Sequence, residues 1–185
     1  LLLESKGETG TIIRTRDEAV IAAADYVCDV GSVFDPEKNR FDHHQLGGAG
    51  MRTNGIQYAS LGLVWKTYGL ELCGGNQWVV DFIDEKLVTG IDGPDNGQIV
   101  SERNYEDVNE YKLNDWVASF LPTWCEESSE EVLLVKFNEV VRIAKSIIAR
   151  EIKKTQVIVL GELEVEKIYH ATEDKRIIVL EQYLP

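Results

Sequence analysis

Two of the three histidines in this 185-residue chain stand side by side, directly after an aspartate, as Asp42, His43 and His44. Adjacent imidazoles are costly to bury unless their ring nitrogens are used, and in an extended chain they point in opposite directions. Imidazole together with carboxylate suits manganese, zinc or iron, whereas carboxylate alone suits magnesium. A single histidine is usually a satisfied, partly buried ring, but this tripeptide favours a metal site.

Asp29 lies near the end of the apolar stretch YVCDV, just before Gly31. An unpaired carboxylate would be expensive there, and the carboxyl ends of strands in α/β sheets face the crevice where ligands bind. The alternative is that Asp29 caps the loop at Gly31 and Ser32. The short proline-containing turn DPEKN leads on to Asp42, so both acids are expected on adjacent short elements.

A third acidic segment, GIDGPDNG, contains Asp92 and Asp95. Aspartate, asparagine, glycine and proline are ordinary turn residues, so this segment alone is weak evidence for a site. Acids and imidazole from three separate segments nevertheless fit a two-metal phosphoester hydrolase, in which cations about 3.5–4 Å apart clamp a phosphate and activate a water. The second histidine of the tripeptide would then contact the phosphate or protonate the leaving oxygen.

Short strands and helices alternate in the first half of the chain. Strands are predicted for TIIRT at 11–15 and for the segment around YVCDV, and helices for 56–69 and 77–97, where apolar residues recur at helical spacing. This order predicts an α/β layered domain.

The second half of the chain is helical in pattern. A short helix is predicted within 105–124 and a long one over 128–154, with serine at its start and lysines in its last turn. Residues 161–174 form either another helix or a continuation, and 175–184 resemble a strand. The likeliest internal boundary falls near 100–110.

The composition limits the class of protein. The net charge of −13 argues against a generic basic surface for nucleic acid, although bound cations would invert the local field. The longest apolar runs are far too short to cross a membrane. Three scattered cysteines without a CxxC pair argue against a disulfide framework or a zinc ribbon and favour a reducing, intracellular setting.

The stretch ADYVCDVGSVFDPEKNRFDHHQ resembles the core of the DHH phosphoesterase superfamily. More closely, it resembles the family named after the melanocyte proliferating gene product, an uncharacterised metal-dependent hydrolase family. The similarity continues through SLGLVWKTYG, GIDGPDNG, FLPTW and RIIVLEQYLP. It implies a DHH-type mainly parallel sheet flanked by helices, followed by a helical segment and a C-terminal strand. Residues 1–105 would be the metal-binding domain, and 106–185 a helical linker and the start of a C-terminal subdomain.

The resemblance also implies functions for individual residues. Asp29 would bridge two manganese ions, and His43 would be a metal ligand. Asp42 would hold or orient His43 and would belong to both the metal-binding and the catalytic residues. His44 would face the substrate phosphate. In the fourth motif Asp92 would be the preferred metal ligand, followed by Asp95.

The activity implied is that of a manganese-dependent phosphodiesterase, a 3′–5′ exonuclease on RNA or short oligonucleotides, with Mg²⁺ or another divalent cation as the alternative ion. Other functions are a pyrophosphatase or small-nucleotide hydrolase, or a non-catalytic metal-binding or oligomerising member, for instance a homodimer. The family's first motif, H-x-G-x-F-H-x-D-(D/E), is absent from the chain, which is therefore expected to lack half of the metal site. The implied location is cytoplasmic in a prokaryote, and nuclear or mitochondrial in a eukaryote.

Overall fold

A computed structural model describes residues 1–102, 104–181 and 183 of the chain. About half of the residues lie in helices, and one small three-stranded sheet lies in the first quarter of the chain. This is the mixed α/β content that the sequence predicts. The helices supply most of the buried apolar side chains, and the sheet supplies the edge that carries the candidate metal ligands.

The sheet has strands β1 (Val27–Cys28), β2 (Phe34–Asp35) and β3 (Arg40–Phe41), with β3 in the centre. β1 runs parallel to β3, whereas β2 runs antiparallel to it. A single 3-10 turn, Pro36–Lys38, joins β2 to β3. Such a short connection can only return the chain antiparallel, because a parallel pair needs a crossover of a dozen or more residues. The described sheet is therefore mixed and small, not the mainly parallel sheet that was expected.

The segment 11–15, predicted as a strand, is irregular in the structure. Its Ile12 and Ile13 are exposed, and among residues 1–102, 104–181 and 183 no strand pairs with them. β-Branched residues favour a strand mainly through packing against neighbouring strands, so their pattern alone does not make this segment a strand. It is followed by helix α2 (Glu18–Ala23), which Asp17 caps by accepting from two backbone amides. A single helical turn, α1 (Leu2–Ser5), lies before the segment 11–15.

The helices predicted in the first half form. Helix α3 spans Ser60–Leu72. Helix α4 (Gln77–Ile83) continues through a π-helical segment, Asp84–Val88, into α5 (Thr89–Asp95), so that 77–95 is one continuous helical run. The predicted helix over 77–97 is therefore confirmed apart from its last two residues.

Helix α6 (Leu113–Ala118) is the short helix expected in the second half. It is followed by α7 (Glu130–Ala171), a 42-residue helix about 63 Å long. Residues 161–171 therefore continue the long helix, the second of the two alternatives, and 172–174 lie beyond its end. Within the described residues, no helix is both long enough and apolar enough to span a bilayer. The predicted strand at 175–184 falls partly outside the described residues, and its described part contains no strand.

The hydrophobic core lies where α3, α4 and the middle of α7 meet. Its buried members are Trp65, Cys73, Val79, Val80, Ile83, Val88 and Ile152. Lys86 and Glu151 join the π-helical segment to α7 through a 2.5 Å hydrogen bond. These contacts cross the division expected near residue 105, which remains a prediction. The rings of Phe41 and Tyr68 pack edge to face and attach α3 to β3.

Candidate metal centre

The candidate ligands lie at one edge of the sheet because β1 and β3 are parallel. Asp29 directly follows β1, and Asp42 directly follows β3. The backbone amide of Asp29 donates to the carbonyl of Phe41 over 3.1 Å, which extends the parallel ladder up to the acid. Asp29 adopts a left-handed conformation, with φ of 64°, and this ends the strand. The carboxyl ends of both strands thus bring the two acids together, as the sequence predicts.

Four potential ligand atoms converge at this edge. One atom each from Asp29, Asp42, His43 and His44 lies within 4.8 Å of all the others. The side chains of Asp42 and His43 are 1% and 6% exposed, whereas those of Asp29 and His44 are 62% and 56% exposed. The cluster therefore has a buried floor and a mouth open to solvent.

The carboxylate of Asp42 organises the loop around it. Its Oδ2 accepts from the amide of Ser32 at 2.6 Å, and its Oδ1 accepts from the amides of His43 at 2.8 Å and His44 at 3.2 Å. Burial raises the pKa of Asp42, but the hydrogen bonds to His44 and to these amides outweigh it and lower the pKa overall. Asp42 is therefore a charged acceptor whose oxygens are largely used by the protein.

Asp42 orients His44, and not His43 as expected. The Nδ1 atom of His44 lies 2.6 Å from Oδ1 of Asp42, so it carries the proton and donates. This hydrogen bond raises the pKa of His44, against a smaller opposing effect of burial. The bond anchors one ring nitrogen and leaves Nε2 of the exposed ring available for a ligand.

His43 forms the buried floor through contacts on both ring nitrogens. Its Nδ1 lies 3.1 Å from Oγ of Ser60 and 3.6 Å from Oδ1 of Asp29. Its Nε2 lies 3.6 Å from Oδ2 of Asp95, at the end of α5. The ring also lies against that of His44, with centroids 4.1 Å apart and the ring planes tilted by 33°. Asp95 therefore adjoins the cluster.

Asp92 does not join the cluster. It is completely buried, and its Oδ1 accepts from the amide of Gly62 at 3.0 Å. Its Oδ2 lies 2.8 Å from Nη1 of Arg52, as an ion pair without an aligned hydrogen bond. Burial raises the pKa of Asp92, although Arg52 opposes the shift. Arg52 also donates two hydrogen bonds to Asp84, at 2.8 and 2.7 Å.

Ser60 was not among the sequence-predicted residues. Its hydroxyl donates to Oδ1 of Asp29 at 3.1 Å while it contacts Nδ1 of His43. The sequence places Ser60 inside the helix predicted over 56–69, and no local pattern there indicates a contact with Asp29 or His43.

The side chains fit a divalent cation with mixed nitrogen and oxygen ligands. If Nδ1 of the neutral His43 ring carries the proton, Nε2 presents a lone pair toward the carboxylate of Asp95. Two acceptors 3.6 Å apart leave a place for a cation between them. Asp29 adds a further exposed carboxylate at the mouth. Such sets suit manganese, zinc or iron.

The profile of the family MYG1_exonuc, described as "Uncharacterised protein family (UPF0160)", matches residues 1–185. The MYG1 protein of Chlamydia trachomatis is 35% identical over 95 residues, which cover 51% of this chain and 30% of that protein. The MYG1 protein of Caenorhabditis elegans is 39% identical over 103 residues, covering 47% of this chain and 30% of that protein. The human protein named MYG1 exonuclease is 30% identical over 103 residues, covering 46% of this chain and 27% of that protein.

The matched region therefore spans about 30% of the length of the first two of these relatives. No solved structure matches the chain.

Proposed function

Because the chain belongs to the MYG1_exonuc family, we propose that it contributes a metal-binding region to a phosphodiesterase of the DHH class that degrades RNA or short oligonucleotides from the 3′ end. The observation that carries this proposal is the convergence of Asp29, Asp42, His43 and His44 at one sheet edge. The names of the bovine and human relatives, both MYG1 exonuclease, support the reaction class.

Asp29, His43 and Asp95 are the residues that we propose as metal ligands. They combine one imidazole with two carboxylates, and for that reason we propose Mn²⁺ as the ion. A divalent cation bound there supplies Lewis acidity and lowers the pKa of a bound water, which makes a nucleophile for phosphorus. Asp92 has no place in this set, because Arg52 and Gly62 already hold its carboxylate.

His44 is the residue that we propose to contact the substrate phosphate. Asp42 fixes the ring through Nδ1, so that Nε2 points away from the anchor, and the ring is more than half exposed. The raised pKa increases the protonated fraction at neutral pH. A protonated Nε2 can donate to a phosphate oxygen or to the leaving oxygen.

Cation binding is tested by titrating the chain with Mn²⁺ in a calorimeter. We expect His43→Gln and Asp29→Asn to abolish measurable binding, and the control His170→Gln to leave it unchanged, because His170 is an exposed residue of α7. His44→Gln should retain most of the affinity. Equal affinities for His43→Gln and the control would contradict the assignment of the site.

The substrate is tested with Mn²⁺ and three phosphate compounds: an RNA oligonucleotide labelled at its 5′ end, a dinucleotide and pyrophosphate. We expect progressive shortening of the RNA from its 3′ end, and a greater loss of rate than of cation affinity in His44→Gln. Turnover of pyrophosphate or the dinucleotide without RNA would favour a small-nucleotide hydrolase. Cation binding without any turnover would favour a non-catalytic metal-binding function.

A further inference from the structure

Ser60 is the first residue of α3, but its hydroxyl does not cap that helix. The residue at the N-cap position of α3 is Ala59, whose side chain cannot accept a hydrogen bond from the first turn. The carboxylate of Asp92, from α5, accepts the hydrogen bond of the Gly62 amide in the first turn. Because another element supplies the cap, the hydroxyl of Ser60 is free to turn toward the candidate metal centre, where it lies buried.

The hydrogen bonds of Ser60 determine which nitrogen of His43 carries the proton. A serine hydroxyl has a single proton to donate, and an ionised carboxylate can only accept. The contact between Oγ of Ser60 and Oδ1 of Asp29, at 3.1 Å, therefore uses that proton. Toward Nδ1 of His43, 3.1 Å away, the same oxygen can only accept. Nδ1 must then be the protonated nitrogen, and Nε2 carries the lone pair.

We propose that Ser60 is a positioning residue that holds His43 in the Nδ1–H tautomer and joins it to Asp29. The bond aims the lone pair of Nε2 at the space beside Oδ2 of Asp95, 3.6 Å away. Outer contacts of this kind commonly fix the tautomer and direction of a ligating histidine. This inference rests on the proposed function, because the tautomer matters only if Nε2 binds a cation.

The tautomer can be measured without any metal. The chain labelled with ¹⁵N in its histidines would be examined by long-range ¹H–¹⁵N correlation, at a pH where the rings are neutral. We expect His43 to be protonated at Nδ1 in the native chain, in contrast to the exposed reference His170. Ser60→Ala should lose this preference, and Ser60→Thr, which keeps a hydroxyl, should retain it.

Cation affinity gives a second readout on the same variants. We expect Ser60→Ala to weaken Mn²⁺ binding by about 10–100-fold, the usual effect of removing an outer contact of a metal ligand. Ser60→Thr should bind close to the native value. Ser146→Ala is the control, because it removes a hydroxyl that donates to the carbonyl of Arg142 within α7. Thermal unfolding of each variant shows whether it is folded.

The two readouts separate this inference from the proposed function. A native chain with His43 protonated at Nε2 would overturn the inference, whatever the variants do. So would a folded Ser60→Ala that keeps both the native tautomer and the native affinity. A native chain with the expected tautomer that binds no Mn²⁺ would instead contradict the proposed metal function, while the contribution of Ser60 to the tautomer would stand.

Discussion

Oδ2 of Asp95 lies 3.6 Å from Nε2 of His43, whereas Asp92, one helical turn earlier on α5, is paired with Arg52. Residues three apart are neighbours on one side of a helix, so both acids face the same part of the molecule. They differ in depth, because Asp92 is completely buried and the side chain of Asp95 is about half exposed. The deeper acid serves the packing of α5 against α3, and the shallower acid is available to a ligand.

This difference predicts opposite effects of two matched substitutions. Asp95→Asn should weaken Mn²⁺ binding by about tenfold or more, because it removes a charged ligand, and should leave the free energy of unfolding nearly unchanged. Asp92→Asn should lower the free energy of unfolding by about 2–4 kcal/mol, because it breaks a buried ion pair and leaves Arg52 with Asp84 alone. Calorimetric titration and urea unfolding of both variants measure the two effects.

If Asp92→Asn lost cation binding while remaining as stable as the native chain, the preference for Asp92 that the family resemblance implies would be restored. Asp92 would then leave Arg52 and bind the cation.

The sequence predicts the candidate centre better than it predicts the sheet. Asp29, Asp42, His43 and His44 are recognisable because their residue types are unusual at those positions, and parallel strands bring strand ends to one edge. The helices of the second half follow from their apolar spacing and from the cap at Ser129. Local pattern is sufficient for these features.

Other features depend on tertiary contacts that no local pattern contains. Whether Asp92 or Asp95 approaches His43 depends on the position of Arg52, some 40 residues earlier in the chain. The use of Ser60 depends on the remote cap from Asp92. Four of the five residues 11–15 are β-branched, as in a strand, but no strand in the described part of the chain pairs with them.

Gly62 should be intolerant of any side chain. A Cβ atom built at Gly62 would lie 1.8 Å from Oδ2 of Asp92, so Gly62→Ala must displace the ion pair with Arg52. We expect a loss of about 2–4 kcal/mol in the free energy of unfolding, from overpacking together with the disturbed pair. Urea unfolding measures this loss.

Gly90→Ala is the matched control for that substitution. Gly90 lies in α5, and a Cβ atom there would meet nothing within 4 Å. Alanine is the better helix former by up to about 1 kcal/mol, so this variant should be as stable as the native chain or more stable. A Gly62→Ala variant as stable as Gly90→Ala would show that the space around Gly62 can adjust.

Alkaline pH should reduce stability through the buried thiol of Cys73. Burial raises the pKa of this thiol from 9.0 to about 11. The unfolded chain therefore releases the proton at lower pH than the folded chain, and ionisation favours unfolding as the pH rises from about 9 to about 11. Below that range both states are protonated, and the contribution is constant.

Comparison with Cys73→Ala isolates this contribution, because other groups titrate equally in both proteins. Up to about pH 8, urea unfolding should show a constant difference in the free energy of unfolding between the native chain and Cys73→Ala. Toward pH 11 the native chain should lose stability relative to the variant. The exposed thiol of Cys125 should react readily with an alkylating reagent in the folded chain, and that of Cys73 should not. A difference that stays constant through pH 11 would contradict the raised pKa.

Ile152 tests whether α7 unfolds together with the first half of the chain. It is 8% exposed and belongs to the same core as Trp65 and Val79, so Ile152→Ala should cost about 2–4 kcal/mol. Ile147, on the same helix, is 43% exposed, and Ile147→Ala should cost less than about 1 kcal/mol. If the core is continuous, urea unfolding shows one transition that moves to lower urea in Ile152→Ala. Two transitions, of which only one moves, would instead show that 106–185 unfolds separately, as the division near residue 105 predicts.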